Sequence, residues 1–327
     1  MITDSKIVCV FGGTGFLGQA IVDDLAEAGF RVKIATRNPE SAYELKVHGN
    51  VGQIASAYCD YRDEQSIDQA IEGCDFVINL IGILFEKGKN SFTHAHVDIP
   101  TQIAKSCTKH KVQKLIHVSA LGIDENQSKY AKSKLKGEVA IKENFPDVTI
   151  FRPSIIFGPD DSFFNLFARL SSILPALPLI GGGQTKFQPI YVGDIAKATI
   201  ATLLEPSDKF KGEVIEMGGP DIVSFKEIYE ILLEQTKRKR LLLPLPFPIA
   251  TLQGKVMGLL PQPPLTADQV TSLKFDNVIS GQYKTIDDIG LNPTPMSVIL
   301  PTYLKTYRKG GRFAEKNDTK IDDKKAS

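Results

Sequence analysis

Tyr130 and Lys134 stand four residues apart in Ser128-Lys-Tyr130-Ala-Lys-Ser-Lys134-Leu-Lys-Gly-Glu138, which reads as the opening of a helix running to about Asn144. Four residues are about one helical turn, so the two side chains share a face. A tyrosine, with an unperturbed pKa near ~10, is a poor acid–base group at neutral pH. An ammonium on the same face favours the phenolate and lowers that pKa. Ser119, directly after an apolar strand, adds a hydroxyl that can hydrogen-bond a substrate oxygen. Together the three could run proton transfer at such an oxygen, with Tyr130 as donor or acceptor. The plainer alternative is a lysine-rich solvated helix face that happens to carry one tyrosine. His94 and His96 invite a metal, but residues two apart do not share a helix face, and no carboxylate or cysteine cluster accompanies them. We therefore expect no metal site.

These residues need a frame, and the frame starts at Lys6-Ile-Val-Cys-Val-Phe11. This stretch is β-branched, apolar and bounded by glycine, as a buried parallel strand should be. Phe16 to Ala28 reads as the following helix, with Gly29 placed to end it. Between them stand Gly12, Gly15 and Gly18. Their spacing permits a tight turn, close approach of backbone to a pyrophosphate, and close packing of helix on strand. The helix N-terminus would then turn its free N–H groups and positive dipole end to the phosphates.

Further strands follow at Arg31–Thr36, Gln53–Cys59, Phe76–Ile81 and Lys114–Val118, alternating with helical stretches at 63–71 and 99–110. That alternation predicts a Rossmann-type α/β fold, a parallel sheet wound on both sides. The second strand ends Thr36-Arg37-Asn38, without the carboxylate that binds ribose hydroxyls in NAD sites. A guanidinium at Arg37 suits a 2′-phosphate, so NADP(H) is preferred over NAD(H). Asp60 ends the third strand, where it could accept from an adenine amino group, and Gly82 lets backbone come close to the cofactor.

Taken together, Gly12-x-x-Gly15-x-x-Gly18, Asp60, Ser119 and Tyr130-x-x-x-Lys134 resemble the short-chain dehydrogenase/reductase superfamily. Phe151-Arg-Pro153-Ser154-Ile-Ile156-Phe-Gly158 and Gln188-Pro-Ile-Tyr191-Val-Gly-Asp194 are similar to segments of its extended and atypical members. The resemblance implies cofactor contacts from Gly12, Thr14, Gly15, Phe16, Leu17, Gly18, Arg37, Asn38, Asp60, Tyr61, Leu80, Ile81 and Gly82. It adds Tyr130, Lys134, Pro153, Ser154 and Ile156, and gives catalysis to Ser119, Tyr130 and Lys134. A narrower likeness rests on residues 10–18, 117–122, 186–192 and 242–248. These resemble the family of NADPH-binding accessory subunits of respiratory complex I, with its bacterial relatives. That resemblance implies NADPH held for structure more than for turnover, and complex I as partner. Two departures from the active enzymes agree with it: the segment from Ser119 to Tyr130 is short, and His96 stands about where many members carry an Asn that helps a proton-relay water. An active NADP-dependent reductase, dehydrogenase or epimerase, with some link to ubiquinone metabolism, is the alternative, and it uses the same cofactor residues.

Residues 1–152, with a return at about 184–217, form the expected cofactor domain. A smaller lobe takes 153–183 and 218–313, Pro175–Gly183 being read as a loop, and 314–327 as a disordered tail. In the smaller lobe Lys237-Arg-Lys-Arg240 precedes an apolar segment in which Ile249, Leu252, Val256, Leu259 and Leu260 share a helix face. Such a pairing can bind an anionic membrane surface, or the apolar residues can close the lobe's own core. The net charge of +1 argues against a nucleic-acid binder. The four cysteines form no C-x-x-C pair and read as reduced thiols. No secretory leader, mitochondrial presequence or membrane span is read, which points to a bacterial or already processed chain. The expected location is cytoplasmic, peripheral on the cytoplasmic face of the inner membrane (the matrix side in a mitochondrion).

Overall fold

The strand Ile7–Phe11 (β1) buries Val8, Cys9, Val10 and Phe11 completely, which places it inside a sheet covered on both faces. The computed structural model describes residues 6–311, so the expected disordered tail at 314–327 lies outside the described residues. The chain divides into two compact units. The first holds the residues up to Ser154 together with Val192–Gly218 and Val278–Pro293. The second holds Ile155–Tyr191, Gly219–Asn277 and the chain from Thr294. Apart from shifts of one or two residues at 153–154 and 218, the division differs from the sequence reading at two segments. Residues 184–191 fall in the second unit, and 278–293, which carry no strand-length apolar run, fall in the first.

In the first unit β1 is followed by α1 (Phe16–Glu27), β2 (Arg31–Thr36), β3 (Ile54–Tyr58), α2 (Glu64–Ile71) and β4 (Phe76–Asn79). Then come α3 (Ile99–Lys109), β5 (Lys114–Val118), α4 (Lys129–Asn144), β6 (Thr149–Pro153), α5 (Val192–Leu204), β7 (Val214–Met217) and the two-residue β8 (Lys284–Thr285). The sheet order is β8-β7-β6-β5-β4-β1-β2-β3, and every pairing is parallel. Strand order turns back between β1 and β4, the crevice where doubly wound sheets bind dinucleotides. Cys9, Phe11, Val77, Leu115 and Ile150 face α2, α3 and α4, whose Ile67, Ile71, Ile103, Cys107 and Ile141 complete one core. All four cysteines are buried and free of disulfides. Helix α5 begins at Val192, and Asp194 sits buried in its first turn. Its C-terminus is held by Lys114 of β5, whose ammonium donates to the carbonyls of Thr202 at 2.9 Å and Leu203 at 3.1 Å.

The second unit is built around a cluster of Phe157, Phe164, Phe187, Phe225, Tyr229 and Leu232. Ser224 caps the helix Phe225–Gln235 in a capping box with Glu227. Ile156–Phe157 pairs with Ile190–Tyr191. The stretch read as a Pro/Gly loop contains a strand, Ala176–Ile180, paired in parallel with Leu241–Leu245. Its partner is 65 residues away in the chain, and its prolines argue locally against a strand. The helix Phe247–Met257 packs through Ala250 and Gly254; a Cβ on Gly254 would lie 2.7 Å from the Ala267 nitrogen. Ile249, Leu252, Val256, Leu259 and Leu260 are exposed and form no part of this unit's core.

Candidate dinucleotide site

The turn from β1 into α1 is shaped by two glycines. Gly12 has φ +81°, a conformation that L side chains rarely adopt, and a Cβ there would meet the Leu80 backbone at 3.3 Å. A Cβ on Gly18 would lie 2.2 Å from the Gly12 carbonyl oxygen, so only glycine lets α1 start this close to the turn. Gly15 is the N-cap of α1 and supplies no side-chain bond to the helix amides. No side chain caps the first-turn N–H groups, which lie beside an exposed Gly15 and half-buried Thr14, Phe16 and Leu17. A helix end of this kind has the free N–H groups and dipole that an anion can use.

At the end of β2, Arg37 is exposed and lies over the Tyr61 ring, 5.5 Å from its centroid. The Tyr61 hydroxyl donates to the Ala35 carbonyl at 2.7 Å, and burial pushes its pKa up to about 12. Tyr61 is thus a neutral platform fixed to β2 on which the guanidinium rests. Asn38 is used locally: its side-chain oxygen accepts from the Glu40 N–H at 3.2 Å. Asp60 is half-buried and accepts from the Arg62 N–H at 3.0 Å.

Beyond β4 the segment Leu80-Ile81-Gly82-Ile83 is pegged at alternate residues. The Ile81 N–H donates to Asn79 Oδ1 at 3.1 Å, and the Ile83 N–H to His96 Nε2 at 3.1 Å. A Cβ on Gly82 would approach Lys134 Nζ to 3.3 Å and His96 Nε2 to 3.7 Å, so Gly82, the lysine and this histidine are neighbours. Because His96 Nε2 accepts, the ring proton is on Nδ1, which donates to Ser133 Oγ at 2.8 Å. Ser133 in turn donates to the Tyr130 carbonyl at 2.7 Å. His96 is 1% exposed, and burial, with Lys134 adding to it, pushes its pKa down to about 3, so it is neutral here. It lies in the π-turn His94–Asp98, and its carbonyl oxygen would be 1.8 Å from a Cβ on Gly137, which lets α4 close onto that turn. Among the described residues no group of three or more His, Cys, Asp or Glu side chains is placed to hold a metal ion.

Tyr130 departs from the sequence reading. Its ring is packed edge-on against His96, with centroids 5.3 Å apart, and against Phe92 at 5.9 Å. Burial in this aromatic pocket pushes the phenol up to about 12, where Lys134 was expected to bring it down. Lys134 itself is 4% exposed, donates to the Val118 carbonyl at 3.1 Å, and is lowered to about 8, by burial against the opposing pull of Glu138. Ser119 is buried, and its hydroxyl finds no partner among the described residues. Two strand positions earlier, on the same face, His117 accepts from Asn79 Nδ2 at 3.0 Å through Nδ1 and leaves Nε2 unpartnered. Sequence reasoning missed Asn79 and His117; their signal was a polar residue inside an otherwise apolar strand. Pro153 ends β6 and Ser154 follows it, the Ser154 N–H donating to the Met217 carbonyl at 3.0 Å, while Ile156 belongs to the second unit.

The uncapped helix end, the glycine turn, the cradle at Gly82 and the orphaned Ser119 hydroxyl fit a bound dinucleotide. The model of the NAD dependent epimerase/dehydratase family matches residues 8–218. Along nearly its whole length the chain is similar to two complex I subunits. It is 35% identical to the mitochondrial NADH dehydrogenase [ubiquinone] 1 alpha subcomplex subunit 9 of Arabidopsis thaliana, over 93% of this chain and 79% of the relative. It is 31% identical to the NADH-ubiquinone oxidoreductase 40 kDa subunit of Neurospora crassa, over 93% and 80%. The chain belongs to the epimerase/dehydratase family and, within it, to the family of these complex I subunits. Among solved structures, the Citrobacter triphenylmethane reductase complexed with NADP(H) shares the fold, with a TM-score of 0.71 and 19% identity over 88% of this chain and 96% of that one. The first unit is an NAD(P)-binding fold. Among the described residues no helix is long and apolar enough to cross a membrane.

Proposed function

We propose that this protein is an accessory-subunit-like component of respiratory complex I that holds NADPH mainly as a structural element. The observation that carries this reading is the likeness to complex I subunits over more than nine-tenths of the chain. The site's chemistry supports it. A general acid–base group works best with a pKa near the operating pH, and the Tyr130 phenol at about 12 is far from it. The α1 N-terminus and the Gly12–Gly18 turn take the pyrophosphate, Lys134 holds the nicotinamide ribose, and Ser119 faces the reactive end. A bound nicotinamide supplies hydride chemistry. Retention of Tyr130, Lys134 and the free Ser119 hydroxyl favours the second reading, a working NADP-dependent reductase, which remains the runner-up. The same reading puts the protein peripherally on the cytoplasmic face of the inner membrane, supported by the likeness to complex I subunits.

Tagged protein purified from detergent-solubilised native membranes should carry NADH:ubiquinone oxidoreductase activity with it. Elution free of that activity, with a soluble substrate turned over, would replace this reading by the enzyme. The cofactor assignment is tested separately. NADPH should bind more tightly than NADH, because charged hydrogen bonds to the 2′-phosphate are worth about 1.5–3 kcal/mol, or roughly ten- to a hundredfold. Arg37→Ala should remove that preference while leaving NADH affinity within about twofold, since only a phosphate contact is lost. Equal affinities of the unmutated protein for both cofactors, measured by fluorescence titration, would refute the role of Arg37.

A further inference from the structure

Nineteen large apolar side chains are exposed among the described residues, and ten of them lie in two stretches of the second unit. Ile173 and Leu174 lead into the strand Ala176–Ile180; Leu241 and Leu243 lie on the strand paired with it. Ile249, Leu252, Val256 and Met257 follow on the helix Phe247–Met257, and Leu259 and Leu260 just beyond its end. The exposures are large: 64% at Leu252, 63% at Val256, 86% at Leu259. Phe247, Ala250 and Ile180 share a small core, so the strand and the helix that carry these side chains pack against each other. An apolar surface of this extent marks a binding face.

We infer that this face lies in the plane of a lipid bilayer, with Leu252, Val256 and Leu259 immersed among acyl chains and anionic headgroups around Lys255. The inference rests on the peripheral location proposed above and names what is met there. Composition selects lipid over protein. The face is aliphatic, with none of the exposed Tyr, Trp or Arg anchors that dominate protein interfaces. From Leu241 to Ala267 the only charged residue is Lys255, and Lys237–Arg240 precede this stretch, so the segment carries five basic residues and no acidic one. A two-fold pairing of copies would bring this uniformly basic segment against itself. The driving force is mainly apolar. Arg238 Nε donates to the Tyr307 carbonyl at 3.0 Å and Arg240 Nε to the Ser171 carbonyl at 2.7 Å, so half of the basic cluster is engaged inside the unit. Lys237 and Lys239 are exposed.

The test is flotation of the purified full-length protein with phosphatidylcholine vesicles, with and without phosphatidylglycerol, at low and high salt. Binding should persist in high salt and rise about fivefold with the anionic lipid, the worth of roughly one surface lysine. Leu252→Asn combined with Leu259→Asn should lower the bound fraction at least tenfold, because two apolar side chains no longer leave water. Both positions are exposed, so the variant should still bind NADPH; if it does not, Val256→Gln alone serves. Loss of all binding at high salt, or no flotation with either lipid, overturns the inference. So does a dimer whose assembly the double variant abolishes while vesicle binding is absent. Co-purification with complex I in detergent is read independently. Flotation without co-purification sinks the complex I reading alone, and co-purification without flotation sinks this one.

Discussion

Replacing Arg152 with methionine should destabilise the protein by about 3–5 kcal/mol, read as a fall in the urea midpoint at unchanged slope. Arg152, on β6, is 2% exposed. Its guanidinium grips Glu138 of α4 with bonds of 2.9 and 2.7 Å, binds Asp124 as well, and lies 4.7 Å from the Tyr283 ring centroid. These carboxylates hold its pKa well above the usual arginine value in spite of burial. The methionine would fill the space but leave Glu138, 4% exposed, without its hydrogen-bonded partner, with only the Lys134 ammonium acting on it. The double variant Arg152→Met with Glu138→Leu should recover most of the loss. Equal losses in the single and double variants would show that the pair is not coupled.

Gly18→Ala should cost NADPH affinity about 10- to 100-fold and about 1–3 kcal/mol of stability. The added methyl would stand 2.2 Å from the Gly12 oxygen and 2.6 Å from the Gly13 Cα, both backbone atoms that no rotamer change can clear. The turn must open, and the α1 amides move with it. Gly15→Ala is the matched comparison: its Cβ would be 3.3 Å from that same oxygen, a contact relieved by a few tenths of an ångström. Calorimetric titration should rank wild type, Gly15→Ala and Gly18→Ala in falling order. A Gly18→Ala protein that binds as tightly as wild type would mean that the turn does not set the cofactor's seat.

The strands with continuous apolar runs were legible in the sequence, and β2 and β5 fall on the expected residues. Local chemistry also announced the glycine turn. What could not be read depends on partners far away in the chain. The strand Ala176–Ile180 exists because Leu241–Leu245 lies beside it, and β8 is two residues long because it only edges β7. The Tyr130–Lys134 spacing was visible, but the rings of Phe92 and His96 that dry the phenol were not, because they come from another element. For the same reason the apolar periodicity at 249–260 could not say which way it faced. The small residues Ala250 and Gly254, not the leucines, are what the helix buries.

The chain passes five times from one compact unit to the other before it ends. Synthesis therefore delivers β6 at residue 153 but β7 only at 214 and β8 at 284. Until then β6, a strand buried along its whole length in the finished sheet, is an open template for any passing strand. Contacts of such long sequence separation slow folding and extend the period of aggregation risk. No single cut yields either unit whole. A ribosome stalled near residue 210 would release not a smaller cofactor domain but an unfinished sheet, a client for chaperones.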